Sequence, residues 1–458
     1  MEEVKRVSLI AAPMVIVSVS QYLLTAVSLM MAGHLGQLHL SAVSVAASFT
    51  NATRFPVLFG LSGALETLCG QVYGARQYKK IGSYTYTAIS SLVSICVLIS
   101  ILWIFMDKLL ISIGFDPQIS RVASRYSIAL IPALFGYAIL QSLIRYFQSQ
   151  GFTLPILVTS SVTFCFHLPL CWALIYKCHF GEIGGSISIG LAYWLNVFLL
   201  GLYMRYSPSC QQTRCFCFKE VCSSLHQFWH FAFPSAVMVC LEWWTFEVLI
   251  LMAGKLRDPK LETSVLSICM TTTSLHYFVQ YGVGVAASTR VSNELGAGNP
   301  KAARSVVWVV LGISLTEAAI VSTSLFCARN VFGYAYSNDK QVIKYVSQIA
   351  PLLSLSIISD TMQAILSGVT RGCGLQRTGA FINLGAYYFV GMPISIVLCF
   401  LMHFRAKGLW MGALIGSLLQ AAFLALVTLF INWNNQATMA KDRILKHQLQ
   451  STVEGIEL

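Results

Sequence analysis

Charge is what this chain has least of. Asp, Glu, Lys and Arg make up 10% of its 458 residues, where a soluble domain carries about 25%. Most of the chain therefore does not face water. Hydrophobic residues fill 56% of it instead. Apolar runs of roughly 18 residues or more recur from end to end, too long for core helices and long enough to cross a bilayer. A soluble enzyme, a disordered protein and a secreted disulfide scaffold are excluded. No soluble domain fits between the runs, because the widest gap is roughly 207–228. The segment Met1-Glu2-Glu3-Val4-Lys5-Arg6 leads into apolar residues without a small-residue cleavage site. It reads as the start of a first span, not as a signal peptide.

Other shortages narrow the function. The net charge is +12, but the 30 Lys and Arg are scattered through short loops. A nucleic-acid partner would require them massed on one face. Most of the 14 Cys lie in or beside apolar runs, where a free Cys acts as a small hydrophobe. Cys210, Cys215, Cys217 and Cys222 share one loop, without a recognised ligand spacing, so no metal site is expected. His167, His276 and His403 stand singly. With no clustered catalytic set, the chain reads as non-enzymatic and requires no cofactor.

Hydropathy predicts an all-α integral membrane protein. Its spans fall at about 8–33, 41–68, 81–106, 122–146, 153–176 and 186–206, then at about 229–254, 264–287, 302–327, 342–368, 378–402 and 408–433. An even count puts both termini on one side, and the greater share of Lys and Arg lies on that side. Both termini are therefore expected in the cytosol. The organisation reads as an N-terminal lobe over 1–206, a cytosolic linker over 207–228, a C-terminal lobe over 229–433 and a cytosolic tail over 434–458.

An internal repeat organises these twelve transmembrane helices. Pro13 and Met31-Ala32-Gly33 recur 221 positions on as Pro234 and Met252-Ala253-Gly254. At a shift of 222, Gly60, Ala64, Thr67, Gly74, Ala75 and Lys79 match Gly282, Ala286, Thr289, Gly296, Ala297 and Lys301. Gln141 matches Gln363 at the same shift, and Pro169 matches Pro393 after a two-residue insertion. Each half holds six spans, so the halves are parallel six-helix repeats about an axis along the membrane normal. That design places a cavity between two bundles and lets one rock against the other, as a transporter requires.

Breaks in the repeat mark asymmetric function. Glu242 aligns with Gln21, and Asp360 with Ala138. A mid-membrane carboxylate costs about 2.5–3.5 kcal/mol even on the lenient insertion scale. Proton coupling is the expected role of both, against a structural hydrogen bond. Glu247, five residues after Glu242, lies on a different face and is read as a cavity residue attracting cations. Glu317 is expected to be hydrogen-bonded and structural, and Glu66 to cap a helix or pair with Arg76. Arg54 falls mid-span at a position repeated as His276 or Tyr277, and its role stays open.

Trp243, Trp244 and Phe246 crowd Glu242. Ring faces beside a carboxylate suit an organic cation, although such rings also simply meet lipid. Trp243 joins Gln21, Tyr22, Gln141, Tyr281, Gln363 and Asn383 as candidate substrate-cavity residues, with Gln280 a further polar group at that depth. Pro13, Pro132, Pro234, Pro351 and Pro393 lie in or at the starts of spans, where they serve as bends.

Three segments carry a family resemblance: Ala64-Leu65-Glu66-Thr67-Leu68-Cys69-Gly70-Gln71, Cys240-Leu241-Glu242-Trp243-Trp244, and Arg290-Val291-Ser292-Asn293-Glu294-Leu295-Gly296-Ala297-Gly298. With them the whole chain resembles the plant multidrug and toxic compound extrusion (MATE) carriers. The resemblance implies two six-helix lobes in a V that open alternately to each side. It implies export of small organic cations, xenobiotics or secondary metabolites against proton influx, by a monomer in the plasma or vacuolar membrane. Glu242 and Asp360 match acids of the family's C-terminal lobe. Many bacterial and archaeal members carry an Asp in a Val-Asp-Thr-x-Met-Ala-Gly setting. Here the setting is Val27-Ser28-Leu29-Met30-Met31-Ala32-Gly33, which puts an N-terminal proton or sodium site in doubt. The alternatives are a major-facilitator carrier, whose loop signature Gly70–Gln77 lacks, and a lipid-linked sugar flippase.

Overall fold

The computed structural model describes residues 2–256 and 258–456. Every regular element in it is helical. The long helices are α1 (Glu2–Gly33), α2 (Gln37–Gly74), α3 (Lys79–Ile104), α4 (Pro117–Ala129), α5 (Ile131–Ser149), α6 (Thr153–Lys177) and α7 (Gly181–Tyr206). They continue as α8 (Phe218–Ala253), α9 (Pro259–Gly296), α10 (Pro300–Cys327), α11 (Lys340–Cys373), α12 (Gln376–Leu401), α13 (Arg405–Phe430) and α14 (Trp433–Ile456).

Among the described residues, ten helices are long and apolar enough to cross a membrane, and α4 with α5, bent by 46°, makes an eleventh. The bend falls at Leu130, just before Pro132, where the ring removes a backbone donor. Helix α9 has 38 residues, about 57 Å of length, but is more polar than those ten. Its Thr271, Thr272 and Thr273 hydroxyls donate back to the carbonyls of Ser267, Ile268 and Cys269 at 2.8, 2.8 and 3.1 Å. Threonine satisfied by its own helix carries little polarity outward.

Contacts divide the chain into two compact units. One comprises Met1–Val15 with Val237–Met439, and the other Ile16–Ala236 with Ala440–Leu458. Two of the three divisions fall two residues after the repeated prolines, Pro13 of α1 and Pro234 of α8, and the third falls inside α14. Thus the start of α1 packs within the first unit, where Gly282 of α9 receives it: a Cβ there would stand 3.0 Å from the Ala11 carbonyl. The start of α8 packs within the second unit, where a Cβ on Gly60 of α2 would stand 3.1 Å from the Ser235 carbonyl. The repeat pairs these two glycines because each admits a helix backbone that leaves no room for a side chain.

The core of the first unit gathers Leu249, Val265, Cys269, Ile349, Leu353, Leu409 and Trp410. In the second unit Trp103, Tyr84, Phe147, Leu58 and Leu65 are fully buried. A buried ion pair lies there too. Arg145 reaches Glu66 at 2.9 Å, both side chains without exposure. Glu66 therefore faces α5 inside the unit rather than pairing with Arg76, which ends the α2 segment in a left-handed turn at φ 60. Arg125 and His39 meet Glu182 at the start of α7, at 3.3 and 3.1 Å.

Candidate functional site

Polar groups in the first unit come in pairs one turn apart. Asp360 and Gln363 lie three residues apart on α11, Ser417 and Gln420 three apart on α13, and Asn383 and Tyr387 four apart on α12. Such spacings put both members on one helix face. Between Asn383 and Tyr387 the helix widens into a π-helical stretch, Leu384–Gly391, a local rewinding frequent at functional sites. Tyr387 is buried there, and Gly416 of α13 makes space for its ring: a Cβ on Gly416 would stand 2.9 Å from Tyr387 Cδ1.

These pairs assemble around the two acids. Ser417 Oγ donates to Asp360 Oδ1 at 2.7 Å and lies 3.0 Å from Ser359 Oγ. Glu242 of α8 is bounded by the side-chain amides of Gln363 and Gln420. Gln420 Nε2 donates to Asn383 Oδ1 at 2.8 Å, and Asn383 Nδ2 donates to the Met238 carbonyl at 2.8 Å. Tyr387 lies within electrostatic range of both carboxylates and bonds to Ser417. Among the described residues neither acid is held in an ion pair, although Arg371 stands near Glu242 and His276 near Asp360.

A second cluster adjoins the first. Glu317 Oε2 of α10 lies 3.3 Å from His276 Nε2 of α9 and accepts from Gln280 Nε2. Glu317 is hydrogen-bonded, as expected, and His276 is not solitary. Trp243 meets the Tyr277 ring edge-on at 5.8 Å, and Tyr277 stacks on Tyr281 at 6.3 Å. Glu247 is half-buried and joins none of these contacts, and Trp244 points outward.

The second unit holds a neutral counterpart. Gln141 Nε2 donates to Gln21 Oε1 at 3.4 Å, the contact that repeat symmetry maps onto Gln363 and Glu242. Tyr22, beside Gln21, is 38% exposed. Ser28 is buried with its Oγ 3.2 Å from His167 Nε2 and 3.5 Å from Cys171 Sγ. His167 Nδ1 in turn lies 3.3 Å from the Ser188 carbonyl.

Of the sequence candidates, Glu242, Asp360, Gln363 and Asn383 fall into one network, Trp243 and Tyr281 into the adjoining ring cluster, and Gln21 with Gln141 into the other unit. Sequence reasoning passed over Tyr387, Ser417, Gln420 and Arg371. The three-residue step from Ser417 to Gln420, inside an apolar span, was the available signal. Among the described residues no group of His, Cys, Asp or Glu is gathered to hold a metal ion. In the Cys210 loop, Cys210 is buried while Cys215, Cys217 and Cys222 are exposed.

A helical protein of many spans, built twice over and carrying two carboxylates among the polar groups of its second half, belongs to the class of membrane carriers. The MatE family pattern matches it twice, over residues 13–173 and 234–397, starting at the two prolines of the repeat. Protein DETOXIFICATION 7 of Arabidopsis thaliana is 52% identical over 446 residues, 97% of this chain and 89% of that protein. Protein DETOXIFICATION 3 of the same plant is 53% identical over 446 residues, 97% of this chain and 94% of that protein. The crystal structure of the eukaryotic MATE transporter AtDTX14 matches with a TM-score of 0.93 at 48% identity, over 97% of this chain and 99% of that one. The Vibrio cholerae MATE transporter VcmN in the bent form, 15% identical with a TM-score of 0.83 over 96% of this chain and 98% of that one, is alike in fold alone. The chain belongs to the MatE family and is a MATE transporter, a carrier of the multidrug and toxic-compound efflux kind.

Proposed function

We propose that this carrier is a proton-coupled antiporter. It exports organic cations, xenobiotics or secondary metabolites by alternating access, one half moving against the other. The observation that carries this reading is the joint network of Glu242 and Asp360, two carboxylates set among neutral donors and, among the described residues, held in no ion pair. A proton arriving at either acid changes its chemistry. Charged Asp360 only accepts, from Ser417, whereas neutral Asp360 also donates. The hydrogen bonds of Ser417, Tyr387 and Ser359 then reorder, and α11, α12 and α13 are re-tied to one another. Trp243, Tyr277 and Tyr281 beside Glu242 offer ring faces to a cationic substrate, with Gln21, Tyr22, Gln141 and Glu247 as further cavity groups.

The same reading has twelve spans, α9 included, in two lobes over 1–206 and 229–433. The linker 207–228 and the tail 434–458 lie in the cytosol with both termini. The carrier works as a monomer in the plasma or vacuolar membrane. The test is efflux of a labelled organic cation from vesicles driven by a pH gradient. Glu242→Gln should abolish gradient-driven flux while the protein stays folded, since Gln21 occupies the repeated position. Near-normal flux in that variant would overturn the assignment.

A further inference from the structure

A basic residue in the second span recurs in both halves, but only one copy has an acid beside it. At the 222-residue shift Arg54 of α2 aligns with His276 of α9. His276 lies 3.3 Å from Glu317. The position matching Glu317 at that shift is Ile95 of α3, so the first half keeps the base without the acid.

Arg54 is 4% exposed. Its Nη2 donates to Asn51 Oδ1 at 2.9 Å, but Nε and Nη1 meet no acceptor among the described residues. The guanidinium carbon sits 4.9 Å from the Tyr137 ring centroid and 5.8 Å from that of Tyr193. Ring faces attract a cation but offer nothing to N–H groups that point outward in the guanidinium plane. An arginine does not escape its charge by losing a proton. A buried cation lacking a counter-charge is among the costliest arrangements a protein can hold.

We propose that Arg54 is an anion-binding site of the first half. It takes a halide, or the carboxylate of an acidic organic substrate, on Nε and Nη1, with Tyr137 and Tyr193 against the guanidinium. The partly buried Asn51 fixes the third nitrogen. The site is separate from Glu242 and Asp360 and stands or falls independently of proton coupling.

The test uses the full-length detergent-purified protein in a buffer whose only other anion is sulfate, with Tm followed as chloride or benzoate is added. A saturable rise with either anion supports the proposal. Chloride alone assigns a halide, benzoate alone a carboxylate, and both a general monovalent site. The rise should vanish in Arg54→Gln. It should also vanish in Ile95→Glu, which supplies the acid that the second half already has and keeps the test open if Arg54→Gln does not fold. No saturable rise in the parent, or a parental rise in either variant, overturns the proposal.

Discussion

Glu66 and Arg145 form a buried ion pair in the second unit, yet the repeat replaces them by Ser288 and Ser367. Removing one member of such a pair strands the other charge, a loss of about 3–5 kcal/mol. Arg145→Ser or Glu66→Ser alone should therefore lower Tm sharply. The double variant, which copies the second half, should lose less than the sum of the two, and thermal unfolding of all three in detergent measures the coupling. Strict additivity would mean that the pair contributes no mutual energy. Ser28 supports a second prediction at this scale. Its neighbours are a histidine, a cysteine and the single carbonyl of Gly185, with no carboxylate among them, whereas a hard cation takes a cage of oxygen ligands. Efflux at fixed pH should be indifferent to an imposed sodium gradient, and a clear sodium dependence would point to another oxygen cluster. Glu242 and Asp360 were legible because a charge in an apolar run is costly wherever it points. Ser417, Gln420 and Tyr387 were not, because hydroxyls and amides are common in spans and only packing decides which of them face an acid. The partner of Glu66 was hidden for the same reason: Arg145 is 79 residues away in sequence, while Arg76 looked near.

The helices show what local sequence does and does not specify. Ten spans, and an eleventh if α4 and α5 count as one, lie where hydropathy placed them, since apolar runs of this length have few other places to go, while α9 is too polar to count with them. The bend at Leu130 was implied by Pro132. The π-helical stretch over Leu384–Gly391 had no such marker in the sequence, and within it Tyr387 packs against Gly416. That contact is testable: Gly416→Ala places a methyl 2.9 Å from the ring, and overpacking of this kind costs about 1–3 kcal/mol. The variant should lose both thermal stability and pH-driven efflux, whereas Gly312→Ala, at a glycine with open space around it, should lose neither. Equal behaviour of the two variants would mean that the π-helical stretch does not matter to transport.

For the molecule as a whole, the repeat was readable from a handful of matched residues, and the family pattern fell on both copies. The exchange of helix starts was not readable. Nothing in Pro13 or Pro234 says which unit the preceding residues will join. At this scale the prediction concerns switching. Asp360 ties α11 to α13 through Ser417, and its repeat position, Ala138, ties nothing. Asp360→Asn should hold one end state and abolish the pH response of a distance probe spanning the two halves. A variant that still switches with pH as the parent does would make Asp360 a structural or substrate-contacting residue.

The seat of α1 against Gly282 also bears on biosynthesis. The segment ending at Val15 leaves the ribosome early, but the glycine that receives it is made more than 260 residues later. At about 5–20 residues per second that is a delay on the order of ten seconds or more. Through that interval the first helix sits in lipid with its eventual contact face uncovered. Gly60, in turn, waits for the start of α8. A nascent chain stalled before residue 282 should therefore leave α1 open to cysteine labelling, and release past α9 should close it.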